Sequence, residues 1–233
     1  HKVEDVTNKY QNCSAGVGIH SMRGVALENI IGLAEFRQNK IPFHIHVAEQ
    51  LKEIEACKAF TGIRPTEWLL QNIELNEDFH LVHATHLDNS EVLGLAKSKA
   101  NVVLCPSTEG NLGDGLFPLD SFLAQVGNWS IGTDSHIGLN PFEELRILDY
   151  GQRLISHSRN TFGNNTSGDN GALAIDAALR NGSRAMGNEI NDYFQIGKPL
   201  NALVMSSDHP LVCLLYTSDA ADDTPSVDLG GRR

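Results

Sequence analysis

IPFHIHVAEQ, residues 41–50, reads as a strand that ends in reactive groups. Phe43, Ile45 and Val47 fall on one side of an extended chain, and His44 and His46 on the other. Glu49 follows His46 by three residues, giving H-x-x-E at the end of the apolar run. An inward imidazole there suits Zn²⁺, and a carboxylate three positions on can reach the same cavity from the loop. His44 is the rival ligand, because His44-Ile45-His46 is itself an H-x-H on one face. It sits one layer deeper, away from the loops where a substrate arrives.

Three more polar clusters end short apolar runs: GIHSMR at 18–23, LVHATHL at 81–87 and IGTDSH at 131–136. Helix-like sequence separates them. Leu27, Ile30, Ile31 and Ala34 recur at i, i+3, i+4, i+7, and helical stretches return around 50–60, 66–71 and 89–99 and from Pro141. The strands are 14–19 running into His20, 41–47, 81–84, 101–105 closed by Pro106, and a last one in which Ser130, Gly132 and Asp134 alternate with Trp129, Ile131 and Thr133. Asp134 is thus expected at the last inward position. CPSTEGNLGDGLFP at 105–118 is expected to be a long glycine-rich loop. The order strand, site residue, helix predicts an α/β fold of the (β/α)8 TIM-barrel type, whose site gathers at strand C-terminal ends. Five strands are readable where eight are needed, so about three are expected upstream. The chain would then be the C-terminal part of a barrel, about strands 4–8. Residues 157–170 read as a mobile loop, 171–190 as helix, and Leu203 to Ser206 as a beginning strand. The expected organisation is a partial catalytic barrel at 1–198 and the start of a small β-domain at 199–212, then a non-native tail at 213–233.

That tail, CLLYTSDAADDTPSVDLGGRR, has a coding pattern that resembles a sequencing-library adapter, and is set apart from the fold. The 233 residues, 41% hydrophobic, suffice for a packed core. A net charge of −11 argues against nucleic acid or an anionic membrane surface as partner. No apolar run approaches the roughly 20 residues of a membrane span. Cys13, Cys57, Cys105 and Cys213 show no paired spacing and read as free thiols of a reducing cytoplasm.

His83, at a strand end, is the candidate for proton transfer, while His86 beyond it could cap the following loop. An inward Asp134 near histidines is costly without a cation or donor; a turn or helix-cap aspartate is its plainer alternative. His136 could support the site from behind. His20 and Arg23 follow the first strand, and arginine is the preferred fork for a carboxylate.

Together these clusters resemble the amidohydrolase superfamily. More narrowly, HIHVAEQ, LVHATHL, CPSTEGNLGDG and GTDSH resemble its formimidoylglutamate deiminases, over about residues 12–212. The resemblance implies one Zn²⁺, held in part by His46 and Asp134. It implies Glu49 and His83 as proton carriers, with Asp134 helping to orient the water, and His20 and Arg23 on the substrate's carboxylates. The family's strand-1 H-x-H, two of four expected zinc ligands, has no match here, so the chain as given is expected to be inactive. The implied reaction is zinc-dependent hydrolysis of N-formimidoyl-L-glutamate to N-formyl-L-glutamate and ammonia in histidine degradation. The implied partner is a small-molecule substrate, with a homodimer left open. The alternatives are a related deaminase acting on a heterocycle or guanidine, and a non-catalytic binding protein on a decayed barrel.

Overall fold

The computed structural model describes residues 2–10, 13–36, 41–163 and 169–188, with Phe194, Ile196, Gly197, Leu200, Ala202 and Val204. The chain divides into units His1–Ile190 and Asn191–Arg233, and every element below belongs to the first. The expected β-domain remnant and its strand lie outside the described residues except at 200, 202 and 204, and the expected tail lies wholly outside them.

Five strands form one parallel sheet in chain order: β1 Val17–Ser21, β2 Phe43–Val47, β3 Phe79–His83, β4 Asn101–Leu104 and β5 Asn128–Ile131. Parallel neighbours need a crossover, and helices supply each one. After a first helix, α1 (Lys2–Lys9), these are α2 (Leu27–Phe36), α3 (Leu51–Thr61) with α4 (Pro65–Asn72), α5 (Asn89–Ser98), and α6 (Pro106–Leu112) with α7 (Leu119–Ala124). Helix α8 (Pro141–Ser156) follows β5, and α9 is Asn170–Ala185. This is the unit that a TIM-type barrel repeats.

The alternation in β2 decides which side is core. Phe43, Ile45 and Val47 are essentially inaccessible and join Phe79, Leu81, Val102, Leu104 and Trp129 under a helical layer holding Ile30, Ile54, Leu69, Leu95 and Phe122. Burying each such side chain contributes about 1.5–3 kcal/mol. His44 and His46 face the other way. His44 stacks on His80, ring centroids 4.7 Å apart, and its Nε2 meets the Ala185 carbonyl at 2.9 Å. Helix α9 thus reaches the histidine face, and Asn181 ties it to the Trp129 carbonyl of β5.

Two expectations are corrected. The segment 105–118 is not one loop, since Pro106–Leu112 is helical. Proline at the first position is preset for a helix. The helix stops at Gly113, whose φ of +72° suits a left-handed cap. The last strand ends at Ile131, so Asp134 lies in the turn beyond it, at φ +49°. Asp134 is therefore not the last inward strand residue. The plainer turn reading of its backbone holds, although its side chain still faces the site. Helices α1 and α7 had no clear sequence signature. Within the expected loop 157–170, residues 158–163 are irregular, 164–168 lie outside the described residues, and Asp169 caps α9.

Candidate metal and proton-transfer site

Four residues at the strand ends leave the usual backbone regions. Ala48, His83, Ala84 and Asp134 have φ of 52°, 69°, 48° and 49°. A left-handed conformation costs a non-glycine residue roughly 1–2 kcal/mol. Such strain gathers where a side chain must be aimed. His83 shows the gain. It is in register with Val47, and strict alternation would send it after Phe79 and Leu81 toward the apolar side. Its ring instead lies 5.6 Å from that of His46, on the opposite side from Val47.

His46 Nδ1 lies 2.7 Å from the His20 carbonyl. A carbonyl only accepts, so Nδ1 carries a proton, and Nε2 is the nitrogen left for a metal. This is how metal-binding histidines are usually held. The carbonyl is placed by an irregularity in the β1–β2 pairing: Ile19 pairs with Ile45 and Ser21 with His46, leaving His20 as the extra residue. The His20 ring, with Nδ1 2.9 Å from Ser21 Oγ, sits 5.2 Å from that of His46.

His83 is fully buried. Its Nε2 lies 3.6 Å from Glu49 Oε1 and 3.4 Å from Asp134 Oδ2, yet makes no hydrogen bond. Its Nδ1 lies 3.2 Å from Glu109 Oε1. Burial opposes charge on the ring. The hydrogen bond and charge of Glu109, then the charges of Glu49 and Asp134, outweigh it and raise the pKa above the ordinary histidine value. Donor atoms of His46, His83 and Asp134 all lie within 4.8 Å of one another.

Glu49 is held by its turn. Glu53, 2% exposed, accepts the Ala48 and Glu49 amides through its two oxygens at 3.2 and 3.0 Å. Burial pushes the Glu53 carboxyl up, against those hydrogen bonds and the charge of Arg23. Arg23 Nη2 stands 3.4 Å from Glu49 Oε2, so the guanidinium expected to hold substrate borders the site. The Asp134 turn is tied down from α6. Thr108 Oγ1 donates to the Thr133 carbonyl at 2.9 Å and accepts the His136 amide at 3.2 Å. Ser107 in turn bonds the buried Glu144 of α8 through its amide, at 2.9 Å, and its hydroxyl.

His46, Glu49, His83, Asp134 and Arg23 are thus brought together, with His20 at the edge. His44 is not among them, for it faces Ala185 and His80. Burial lowers its pKa, the Ala185 carbonyl raises it and the charge of His46 lowers it. The cap of α5 is Asp88, not His86, whose carbonyl instead accepts from Arg64. His136 Nδ1 accepts the Gly138 amide within its own turn. Glu109, Glu53 and Thr108 were missed. The run Cys-Pro-Ser-Thr-Glu after a strand, read as a helix start, would have pointed to Glu109 and Thr108.

The family model described as the amidohydrolase family matches residues 6–218. The formimidoylglutamate deiminase of Pseudomonas aeruginosa is 43% identical over 197 residues, covering 84% of this chain and 43% of that protein. A 5-methylthioadenosine/S-adenosylhomocysteine deaminase of Pyrococcus furiosus is 35% identical over 111 residues, 48% of this chain and 26% of that protein. The crystal structure of an amidohydrolase from Brucella melitensis matches with a TM-score of 0.75 and 39% identity, over 79% of this chain and 41% of that one. The chain therefore spans less than half the length of these relatives. With its parallel β/α units and strand-end site, the chain belongs to the amidohydrolase family.

Proposed function

We propose that this chain supplies part of the active site of a metal-dependent deaminase that hydrolyses N-formimidoyl-L-glutamate to N-formyl-L-glutamate and ammonia. One observation carries it: the buried His83 Nε2, free of hydrogen bonds, faces Glu49 and Asp134 at 3.6 and 3.4 Å beside the His46 ring. The likeness to the Pseudomonas aeruginosa enzyme supports the substrate.

The residues fit a divalent metal. His46 is bonded through Nδ1, which leaves Nε2 as its other ligand nitrogen, Asp134 brings a partly exposed carboxylate, and the buried His83 Nε2 beside them has no hydrogen-bond partner. Nitrogen and oxygen donors of this kind suit Zn²⁺. His46 and Asp134 would hold it. When bound, the ion lowers the pKa of a water so that a nucleophile exists at neutral pH.

His83 and Asp134 orient that water and take up its proton. Water adds to the formimidoyl carbon. Both protons of the water, the one taken up by His83 and Asp134 and the one on the adduct's hydroxyl, pass to the terminal nitrogen by way of Glu49; the bond from carbon to that nitrogen breaks, and ammonia leaves. The C–O bond then becomes the carbonyl of the formyl product. Arg23 and His20 hold a carboxylate of the glutamate moiety. Arg23 is already beside Glu49, so a bound carboxylate would draw the guanidinium off the proton carrier.

A second reading is a deaminase of an adenosine-type heterocycle, favoured by the Pyrococcus furiosus relative. The test is ammonia release by the protein extended to the full length of its relatives and loaded with Zn²⁺. N-formimidoyl-L-glutamate should be turned over, and 5-methylthioadenosine should not. The reverse result would replace the first reading by the second.

A further inference from the structure

We propose that Glu109 is a positioning residue: it accepts the Nδ1 proton of His83 and so holds the ring with Nε2 turned to the reacting groups. The role given to His83 rests on the proposed function. The orientation of its ring does not.

Glu109 is 3% exposed and lies in α6, which follows β4 directly. Its Oε1 is 3.2 Å from His83 Nδ1 and accepts the Cys105 amide at 2.9 Å. An ionised carboxylate only accepts, so the shared proton belongs to Nδ1. Its own amide bonds the Cys105 carbonyl at 2.9 Å and its carbonyl accepts the Asp114 amide at 2.9 Å. The carboxylate therefore stands on fixed backbone rather than on a mobile loop. His83 reaches it through a left-handed backbone that, unsupported, would relax. A hydrogen bond on one imidazole nitrogen sets what the other can do. Here it leaves Nε2 as an acceptor facing two carboxylates, where a water proton has somewhere to go.

A rival role is a second metal site, because ligand atoms of His83, Cys105 and Glu109 also lie within 4.8 Å of one another. Burial, with the charges of Glu109, Asp134 and Glu144, pushes the Cys105 thiol far up and keeps it protonated. That disfavours the thiolate a metal would need.

The first test is ¹⁵N NMR of the His83 ring in the full chain. At alkaline pH, where the ring is neutral, a protonated Nδ1 and an unprotonated Nε2 are expected. Glu109→Gln should keep this tautomer, because the Cys105 amide holds the oxygen of the new amide toward the ring. Glu109→Leu should lose it. If Glu109→Leu does not fold, Glu109→Ala takes its place with the same expectation, and the wild-type tautomer alone can still overturn the proposal. In the extended, Zn²⁺-loaded protein, Glu109→Leu should lower kcat about 10- to 100-fold, the range for an outer ligand-orienting partner, with KM little changed. Glu109→Gln should recover most of it. A neutral wild-type ring protonated at Nε2 rather than Nδ1, or a tautomer indifferent to Glu109→Leu, would overturn the proposal. So would a second equivalent of Zn²⁺ lost in both Cys105→Ser and Glu109→Gln. Absence of activity on N-formimidoyl-L-glutamate with the tautomer intact would count against the proposed substrate and leave Glu109's role standing.

Discussion

Arg23 Nη2 stands 3.4 Å from Glu49 Oε2, the guanidinium half exposed and the carboxylate largely covered. A pair this exposed contributes at most about 1 kcal/mol to stability. Arg23→Met should therefore leave the melting temperature nearly unchanged. It should not leave activity unchanged. Losing a charge-assisted bond to a buried substrate carboxylate costs on the order of 2–5 kcal/mol. In the extended protein kcat/KM for N-formimidoyl-L-glutamate should fall roughly 30- to 3,000-fold. Arg23→Lys should recover part, since lysine lacks the planar fork. Near-normal kcat/KM in Arg23→Met would end the assignment of Arg23 to the substrate.

Metal affinity should separate the two histidines of β2. His46 bonds the His20 carbonyl through Nδ1 and has a ligand atom within 4.8 Å of one on Asp134, whereas His44 Nε2 is 2.9 Å from the Ala185 carbonyl. His46→Ala and Asp134→Asn should each weaken Zn²⁺ binding on the order of 100-fold or more, a loss of about 2.7 kcal/mol. His44→Ala and Glu49→Gln should not. Competitive titration against a chromogenic chelator measures this in the extended protein. Loss in His44→Ala with retention in His46→Ala would reverse the ligand assignment.

The sheet and half of the site were legible because their signals are local. Alternation in β2 marks core and histidine faces within five residues, and H-x-x-E fixes where the chain leaves the strand. Glu109 and Thr108 were not legible in their roles, because each acts on residues that only folding brings close, while Glu53 bonds amides four and five positions back in a turn that the letters alone do not show. Glu109 reaches His83 across 26 positions, and Thr108 reaches Thr133 across 25. The glycines at 110, 113 and 115 hid α6, although only Gly113 ends it. Asp134 lies three residues beyond the end of β5, although Gly132 and Thr133 continue the alternation by letter but not by backbone.

The Asp134 turn should depend on Thr108. That hydroxyl both donates to the Thr133 carbonyl and accepts the His136 amide, one bond on either side of the aspartate. Thr108→Val keeps the shape and removes both. Two hydrogen bonds at about 1 kcal/mol each put the loss of unfolding free energy near 2 kcal/mol. Zn²⁺ affinity should fall as well, by about 10- to 100-fold, as for other groups that orient a ligand. Thr108→Ser should restore both readouts. An unchanged affinity in Thr108→Val, with the stability loss present, would mean that Asp134 is held by something else.

Asp88 offers a pH test of how β3 hands over to α5. Its Oδ1 accepts the Glu91 amide at 2.9 Å and the Ser90 hydroxyl at 2.7 Å, and Glu91 returns a bond to the Asp88 amide. Arg64 bonds Glu91 at 2.8 Å and the His86 carbonyl as well, tying this helix start to the strand end that carries His83. The Ser90 hydroxyl, with the Glu91 and Ser90 amides and the charge of Arg64, holds the Asp88 carboxyl below its usual 3.8, against burial, which raises it and is second only to the Ser90 hydroxyl. A lowered folded-state pKa means the ionised cap favours the fold. That contribution is fully present above the unfolded-state value and is lost as pH falls through the lower folded-state one. At pH 7, Asp88→Ala should cost about 1 kcal/mol, the usual loss for a helix cap. The difference between wild type and Asp88→Ala should shrink as pH drops below about 4. Asp88→Asn should cap at pH 7 almost as well and keep its advantage over alanine in acid, because an amide does not titrate there. Denaturant unfolding of the three proteins at pH 7 and pH 3 measures all of this. A gap between wild type and Asp88→Ala that widened in acid would show that the carboxylate does not stabilise this helix start.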